Sequence, residues 1–170
     1  MEVRIELAYD HPQEVIRLFT EYTDSIIAKN SEVEKCLNSQ HYGDEVRDLG
    51  EKYGLPNGRL YLAYLNSEIA GCVALRQLDA SYCEMKRLYV RPEYRGNQIG
   101  KILIEQIILD AKQIGYKHIR LDTFPFMDSA IRMYYHYGFY EIECYNDNPA
   151  SLAVFMQKDL NGDIAVSADT

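Results

Sequence analysis

Residues 91–101 read Arg-Pro-Glu-Tyr-Arg-Gly-Asn-Gln-Ile-Gly-Lys and lead into a long stretch in which apolar residues recur at helical spacing: Ile99, Ile102, Leu103, Ile107, Ala111 and Ile114. A glycine-bearing turn that opens a helix leaves the first helical N–H groups unpaired and points the positive end of the helix dipole at one place. That is a site for a phosphate or pyrophosphate. The spacing excludes two common forms of such a site. A P-loop needs four residues between its glycines and a hydroxyl after its lysine, whereas Gly96 and Gly100 enclose three residues and Lys101 is followed by Ile102. Nor is the Gly-x-Gly-x-x-Gly spacing of a dinucleotide fold present.

The turn needs a strand before it and a helix after it. Tyr82 to Val90 is β-branched and aromatic at its end, Arg91-Pro92 cannot continue a ladder, and Gly115 stops the helix, which is expected from about Asn97. Lys117 to Thr123 alternates as a strand, and a crossover of this length makes it a parallel neighbour of 82–90. Upstream, Arg59 to Leu65 and Glu68 to Leu78 join through Asn66-Ser67, so with 82–90 they predict an antiparallel meander. Val3 to Ala8 is a strand and Pro12 to about Ala28 a helix; Ser31 and Glu34 form a capping-box pair for a polar helix running toward Glu51, weakest at Gly43. After residue 123, Asp128 or Ser129 can cap a short helix from Ala130 to Tyr137. Gly138 ends it, and strands follow at Phe139 to Tyr145 and Ala153 to Lys158. One domain over 1–160 is expected, with 161–170 a polar, flexible tail.

At 170 residues and 47% hydrophobic the chain can bury a core of its own. A net charge of −8 argues against nonspecific nucleic-acid or membrane partners and would draw cationic amines. Met1 to Glu6 lacks the basic-then-apolar pattern of a signal peptide and no apolar run approaches a membrane span, so a cytoplasmic location is expected. Cys36, Cys72, Cys83 and Cys144 are scattered without Cys-x-x-Cys spacing, and the four histidines carry no ligand motif. Buried free thiols and no metal site are the expectation. Lys86, Arg87, Arg91 and Arg95 cluster in sequence around the turn, with Lys86 read as a solvated strand-edge charge.

Arg95 to Gly100 resembles the Gln/Arg-x-x-Gly-x-Gly/Ala loop of the GNAT N-acetyltransferase superfamily. The stretch Ala130-Ile-Arg-Met-Tyr134-Tyr-His-Tyr-Gly138-Phe139 resembles that family's Ala-x-x-x-Tyr-x-x-x-Gly-Phe element. The order of elements resembles the GNAT fold over roughly residues 3 to 160. This implies an α/β (α+β) domain: a mixed, mostly antiparallel central sheet with a parallel, splayed central strand pair, flanked by helices. Two positions depart from the pattern. Gln98 stands where the family has its middle glycine, and Met127 where many members carry asparagine. A side chain at 98 is tolerable in helical φ/ψ, whereas positive φ would call for glycine.

The resemblance implies acetyl-CoA as acyl donor, with its pyrophosphate on the amides of Arg95, Gly96, Asn97, Gln98, Ile99, Gly100 and Lys101. It implies a pantetheine arm paired like an extra strand with Leu88, Tyr89 and Val90, where a free N–H, that of Leu88, could face the thioester carbonyl. Glu84, eleven residues before Arg95, takes the place of the carboxylate that removes the amine proton directly or through water. Tyr134 takes that of the tyrosine that protonates the departing thiolate. The implied activity is direct transfer of acetyl to a primary amine of a small molecule in a ternary complex; the alternative reading is a non-catalytic acyl-CoA-binding regulatory module. Tyr22 to Gly58 and the Tyr145-Asn-Asp-Asn-Pro loop should line the acceptor side, with Arg87 or Arg91 available to a carboxylate on the acceptor. A homodimer is compatible with this reading.

Overall fold

The computed structural model describes residues 2–34, 42–146 and 152–160. Strands β1 (Val3–Leu7), β2 (Arg59–Leu65), β3 (Glu68–Gln77), β4 (Tyr82–Val90), β5 (His118–Thr123), β6 (Tyr140–Ile142) and β7 (Val154–Asp159) form one sheet in the order β1-β2-β3-β4-β5-β7-β6. Every neighbouring pair is antiparallel except β4 and β5. Among the described residues the α-helices with described ends are α1 (Pro12–Lys29), α2 (Tyr42–Arg47), α3 (Leu49–Tyr53), α4 (Ile99–Ile114) and α5 (Asp128–His136). None of the helices among the described residues is long and apolar enough to cross a membrane.

Local chemistry explains the meander. Asn66 and Ser67 both take positive φ (52° and 84°), which matches the twist of a two-residue hairpin between β2 and β3. Between β3 and β4, Asp79 Oδ1 accepts the amides of Ser81 (2.8 Å) and Tyr82 (2.9 Å) and closes the turn. Period-two alternation then sorts the strands onto two faces. On one, α4 seats Leu103, Ile104 and Ile107, all fully buried, against Val73, Leu75, Met85, Ile119 and Leu121. At about 1.5–3 kcal/mol per buried aliphatic side chain, this helix is the largest apolar anchor of the α/β half. On the other face, Val15, Leu18 and Phe19 of α1 pack on Leu60, Leu62, Cys72 and Ala74.

Two irregularities in β4 open the sheet. Cys72 faces Tyr89 but Ala74 faces Lys86, so two steps along β3 are matched by three along β4. The extra residue forms a bulge with Arg87 in left-handed φ (60°). On its other edge β4 pairs with β5 only at Tyr82↔His118, Cys83↔Ile119 and Glu84↔Arg120. Past Glu84 the two strands part, while β5 stays paired with β7 as far as Thr123↔Val154.

Several local expectations shift. The helix after the turn begins at Ile99 rather than Asn97, and the strand expected at 139–145 is only Tyr140–Ile142. The polar helix expected from residue 31 toward 51 is interrupted at Asp48, whose Oδ1 caps the Glu51 amide (3.1 Å), rather than at Gly43; its part at residues 35–41 lies outside the described residues. At the expected start, the Glu34 amide bonds the Ser31 backbone carbonyl (3.3 Å), and Asn30 Oδ1 accepts the Glu32 amide (3.0 Å) in the turn that follows α1. The N-cap position of α5 is Met127, with no side-chain cap from Asp128 or Ser129. Cys72 and Cys83 are buried thiols, Cys144 is exposed, and Cys36 lies outside the described residues.

Candidate active site

The turn before α4 is tied at its base. The Arg91 amide donates to Ala70 O (2.8 Å), Asn97 Nδ2 to Tyr94 O (2.9 Å), and Arg95 Nε folds back to Val90 O (3.0 Å). The first helical amide with a carbonyl one turn earlier is that of Ile102, bonded to Gln98 O (3.1 Å). The preceding amides thus lie at the positive end of a 16-residue helix, the arrangement an anion needs. Gly96 has φ 88° and Gln98 φ 64°, ψ 19°. The side chain at 98 therefore occupies a left-handed position at a cost of about 1–2 kcal/mol, not the helical φ/ψ that would tolerate it without strain. Gly100 is not demanded by packing: a Cβ there would meet Val90 Cγ2 at 3.8 Å and Met133 Cε at 3.9 Å, ordinary contacts.

Behind the bulge, where β4 and β5 part, a cleft passes through the sheet. Leu88 and Met85 of β4, Asp122 of β5, Tyr22 of α1 and Tyr134 of α5 line it. Tyr134 is buried, its ring 5.8 Å from that of Phe139, and among the described residues its hydroxyl has no hydrogen-bond partner. Burial first, then the nearby Tyr22 and Asp122, pushes its phenol well above the ordinary range, so it keeps its proton. Its neighbours on the helix point elsewhere: Tyr135 is exposed and donates to Glu141 (3.1 Å), and Tyr137 donates to Glu105 (2.8 Å).

The polar side chains of β4 sit on the α1 face. Glu84 is buried; Tyr145 donates to its Oε2 (2.5 Å), and Arg76 (3.5 Å) and Lys86 (4.0 Å) lie against Oε1. Burial, and then the Glu84 carboxylate, pushes the Tyr145 phenol well above its usual range. Lys86 is itself 6% exposed, so it is not the solvated strand-edge charge expected from sequence. A lysine alternating with apolar neighbours resembles a surface position until the fold supplies its carboxylate. Arg87 is buried too and forks onto Glu45 of α2 (Nε 2.9 Å, Nη2 3.1 Å), while Arg91 forks onto Glu21 (3.0 and 2.8 Å). Both are thus committed to carboxylates of this chain, which overturns their use for a carboxylate on an acceptor. Of the four basic residues adjacent in sequence, the fold leaves Arg95 at the turn.

The fold therefore brings Leu88 and Tyr134 to one cleft, keeps Glu84 just off it beneath Tyr145, and places residues 95–101 at the start of α4. Sequence reasoning missed Asp122 and Glu45. The alternation of β5 puts Asp122 on its polar face, a weak signal by itself; Glu45 had no signal. Among the described residues no group of His, Cys, Asp and Glu is arranged to hold a metal.

Comparison with known proteins places these features in a family context. The sequence matches the Acetyltransferase (GNAT) family over residues 21–139. It is 30% identical to an uncharacterized N-acetyltransferase of Dictyostelium discoideum, with 89% of this chain and 95% of the relative aligned. It is 38% identical to another from Schizosaccharomyces pombe, over 74% of this chain and 78% of that one. The fold superposes on the PaiA N-acetyltransferase of Thermoplasma acidophilum in complex with coenzyme A, with a TM-score of 0.68 at 22% identity, covering 94% of this chain and 99% of that one.

Proposed function

Because the chain belongs to the GNAT acetyltransferase family and takes its acetyl group from acetyl-CoA, we propose that it transfers acetyl directly to a primary amine of a small molecule within a ternary complex. The observation that carries this reading is the parted β4/β5 pair, with the buried Tyr134 hydroxyl and Leu88 lining one cleft. In this proposal the amides at 96–101 hold the pyrophosphate, with Arg95 alongside. The backbone of Leu88, Tyr89 and Val90, freed from β5, pairs with the pantetheine arm as another strand would. The Leu88 amide faces the thioester carbonyl and stabilises the oxyanion of the tetrahedral intermediate.

The amine arrives on the α1 face. Its nitrogen attacks the carbonyl carbon, the C–S bond breaks, and the thiolate takes the Tyr134 proton, which burial has kept on the phenol. The proton that the amine must lose goes to Glu84. Because Tyr145 covers Glu84 Oε2, we assign the route through that hydroxyl: Tyr145 passes its own proton to Glu84 and receives the amine's. No protein nucleophile is needed. Incubating the protein with acetyl-CoA and a panel of primary amines, with release of free thiol as readout, tests the reading. Turnover on one or more amines supports it; acetyl-CoA binding without turnover on any amine would refute it.

A further inference from the structure

Arg95 stands at the turn before α4, and its side chain lies on the edge of β4 that the acetyl-transfer reading gives to the pantetheine arm. Its Nε donates to Val90 O at 3.0 Å. Where that oxygen points follows from the planar trans peptide, whose N–H and C=O face opposite ways. The Arg91 amide bonds Ala70 O of β3 (2.8 Å), so the Val90 carbonyl of the same peptide faces the other edge of β4. The preceding peptide agrees. Tyr89 O lies against β3, where a Cβ on Gly71 would come 2.5 Å from it, so the Val90 amide also faces away from β3. That other edge is the one from which β5 departs after Glu84↔Arg120. Val90 thus turns both backbone groups toward the open side of the strand, and Arg95 takes the acceptor.

An arm that pairs with β4 as an added strand needs that same carbonyl, so Arg95 and a pantetheine amide contend for it. The start of α4 adjoins the contested atom: a Cβ on Gly100 would stand 3.8 Å from Val90 Cγ2. Arg95 is exposed, which lets its guanidinium turn from Val90 O to the amides at 96–101. A phosphate holds a guanidinium about twice as strongly as a neutral acceptor does. Resting on the acetyl-transfer reading's placement of the arm on β4, we infer that Arg95 couples the two halves of the donor. The phosphates at the start of α4 draw it off Val90 O, the arm takes the carbonyl, and thioesters that carry the nucleotide are used in preference to those that lack it. No covalent bond changes at Arg95. Such coupling is reciprocal, each half of the donor raising the affinity for the other by the same factor.

Calorimetry on the wild type with S-acetylpantetheine, which has no phosphate, tests this with and without an excess of AMP, whose single phosphate leaves room for the hydroxyl of the arm. AMP should lower the acetylpantetheine Kd by roughly three- to tenfold, the worth of one hydrogen bond. Arg95→Ala should bind acetylpantetheine more tightly than wild type by a similar factor and lose the response to AMP. Its preference for acetyl-CoA over acetylpantetheine should fall by roughly ten- to a hundredfold, since the bond to phosphate is lost as well. A carbonyl oxygen has two lone pairs. If Arg95 and the arm share this one, AMP and acetylpantetheine bind the wild type independently, and that result overturns the inference. Weaker acetylpantetheine binding by Arg95→Ala, or no measurable binding to either protein, overturns it too. No amine is present in these titrations, so a protein that shows the AMP response yet acetylates no amine fails the transfer reading alone. One that acetylates amines without the AMP response fails this inference alone.

Discussion

Glu45→Gln removes the counter-charge of Arg87 while keeping the side chain's shape. Both partners are buried, with side-chain exposures of 0% for Glu45 and 5% for Arg87, and Lys52 joins them at 2.6 Å from Glu45. Burial alone would push the Glu45 carboxyl up, but Arg87 and Lys52 outweigh it and hold its pKa at about 2, against an ordinary 4.5. That difference of about 2.5 units, at 1.36 kcal/mol each, corresponds to roughly 3 kcal/mol of folding stability. Deleting one partner of a buried ion pair costs about 3–5 kcal/mol on other grounds, so the two routes agree. The sign follows from a folded-state pKa below the unfolded one: the contribution is complete above pH 4.5 or so and is lost as pH falls through about 2. Glu45→Gln should therefore lower Tm at pH 7 by roughly 6–12 °C, at about 2–4 °C per kcal/mol for a chain of this size. The difference from wild type should shrink steadily below pH 4.5. Arg87 also takes left-handed φ at the bulge, next to Leu88. In variants that still fold, the KM for acetyl-CoA should rise as the bulge relaxes. Replacing both residues by methionine should recover much of the stability without recovering that KM. Thermal melts from pH 3 to 7, with acetyl-CoA titrations, check this. A loss under about 1 kcal/mol, or normal acetyl-CoA affinity in a destabilised Glu45→Gln, would refute the argument.

Tyr134→Phe keeps the buried ring and removes the proton donor. Turnover should fall by roughly ten- to a thousandfold with acetyl-CoA affinity little changed, whereas the exposed Tyr135→Phe should be silent; steady-state kinetics on both checks the register of α5. Glu84→Gln and Tyr145→Phe should lower turnover of protonated amines by similar factors, with part of the loss regained at higher pH. A harmless Tyr145→Phe beside a damaging Glu84→Gln would remove the tyrosine from the proton route. Gln98→Gly should raise stability by about 0.5–1 kcal/mol, since relief of left-handed strain exceeds the added chain entropy of glycine; urea unfolding measures it. Gly100→Leu should abolish acetyl-CoA binding in a calorimeter while leaving the melting curve close to wild type, because packing leaves room for a Cβ there.

The sequence by itself determined the elements and their order. Alternation in 117–123 and helical spacing in 99–114 are local periodicities, and each marks a face before any partner exists. The hairpin at Asn66-Ser67 and the stop at Gly115 depend on backbone preferences carried by single residues, so they too were legible. The parallel placement of β5 followed from the length of the crossover. The charged residues were not legible, because whether a charge is solvated or buried depends on what folds over it. Lys86 and Arg87 look like surface residues in a strand and became interior ones only when Glu84 and, from forty-two positions away, Glu45 came to meet them. The same holds for Gln98, whose φ is set by how the turn must reach α4 from Val90 and not by glutamine's own preference. The cleft itself is a tertiary product. It exists because a bulge on one edge of β4 and a three-residue ladder on the other pull β4 and β5 apart, and that separation, invisible in either strand alone, brings Asp122 and Tyr134 to the same opening from opposite faces of the sheet.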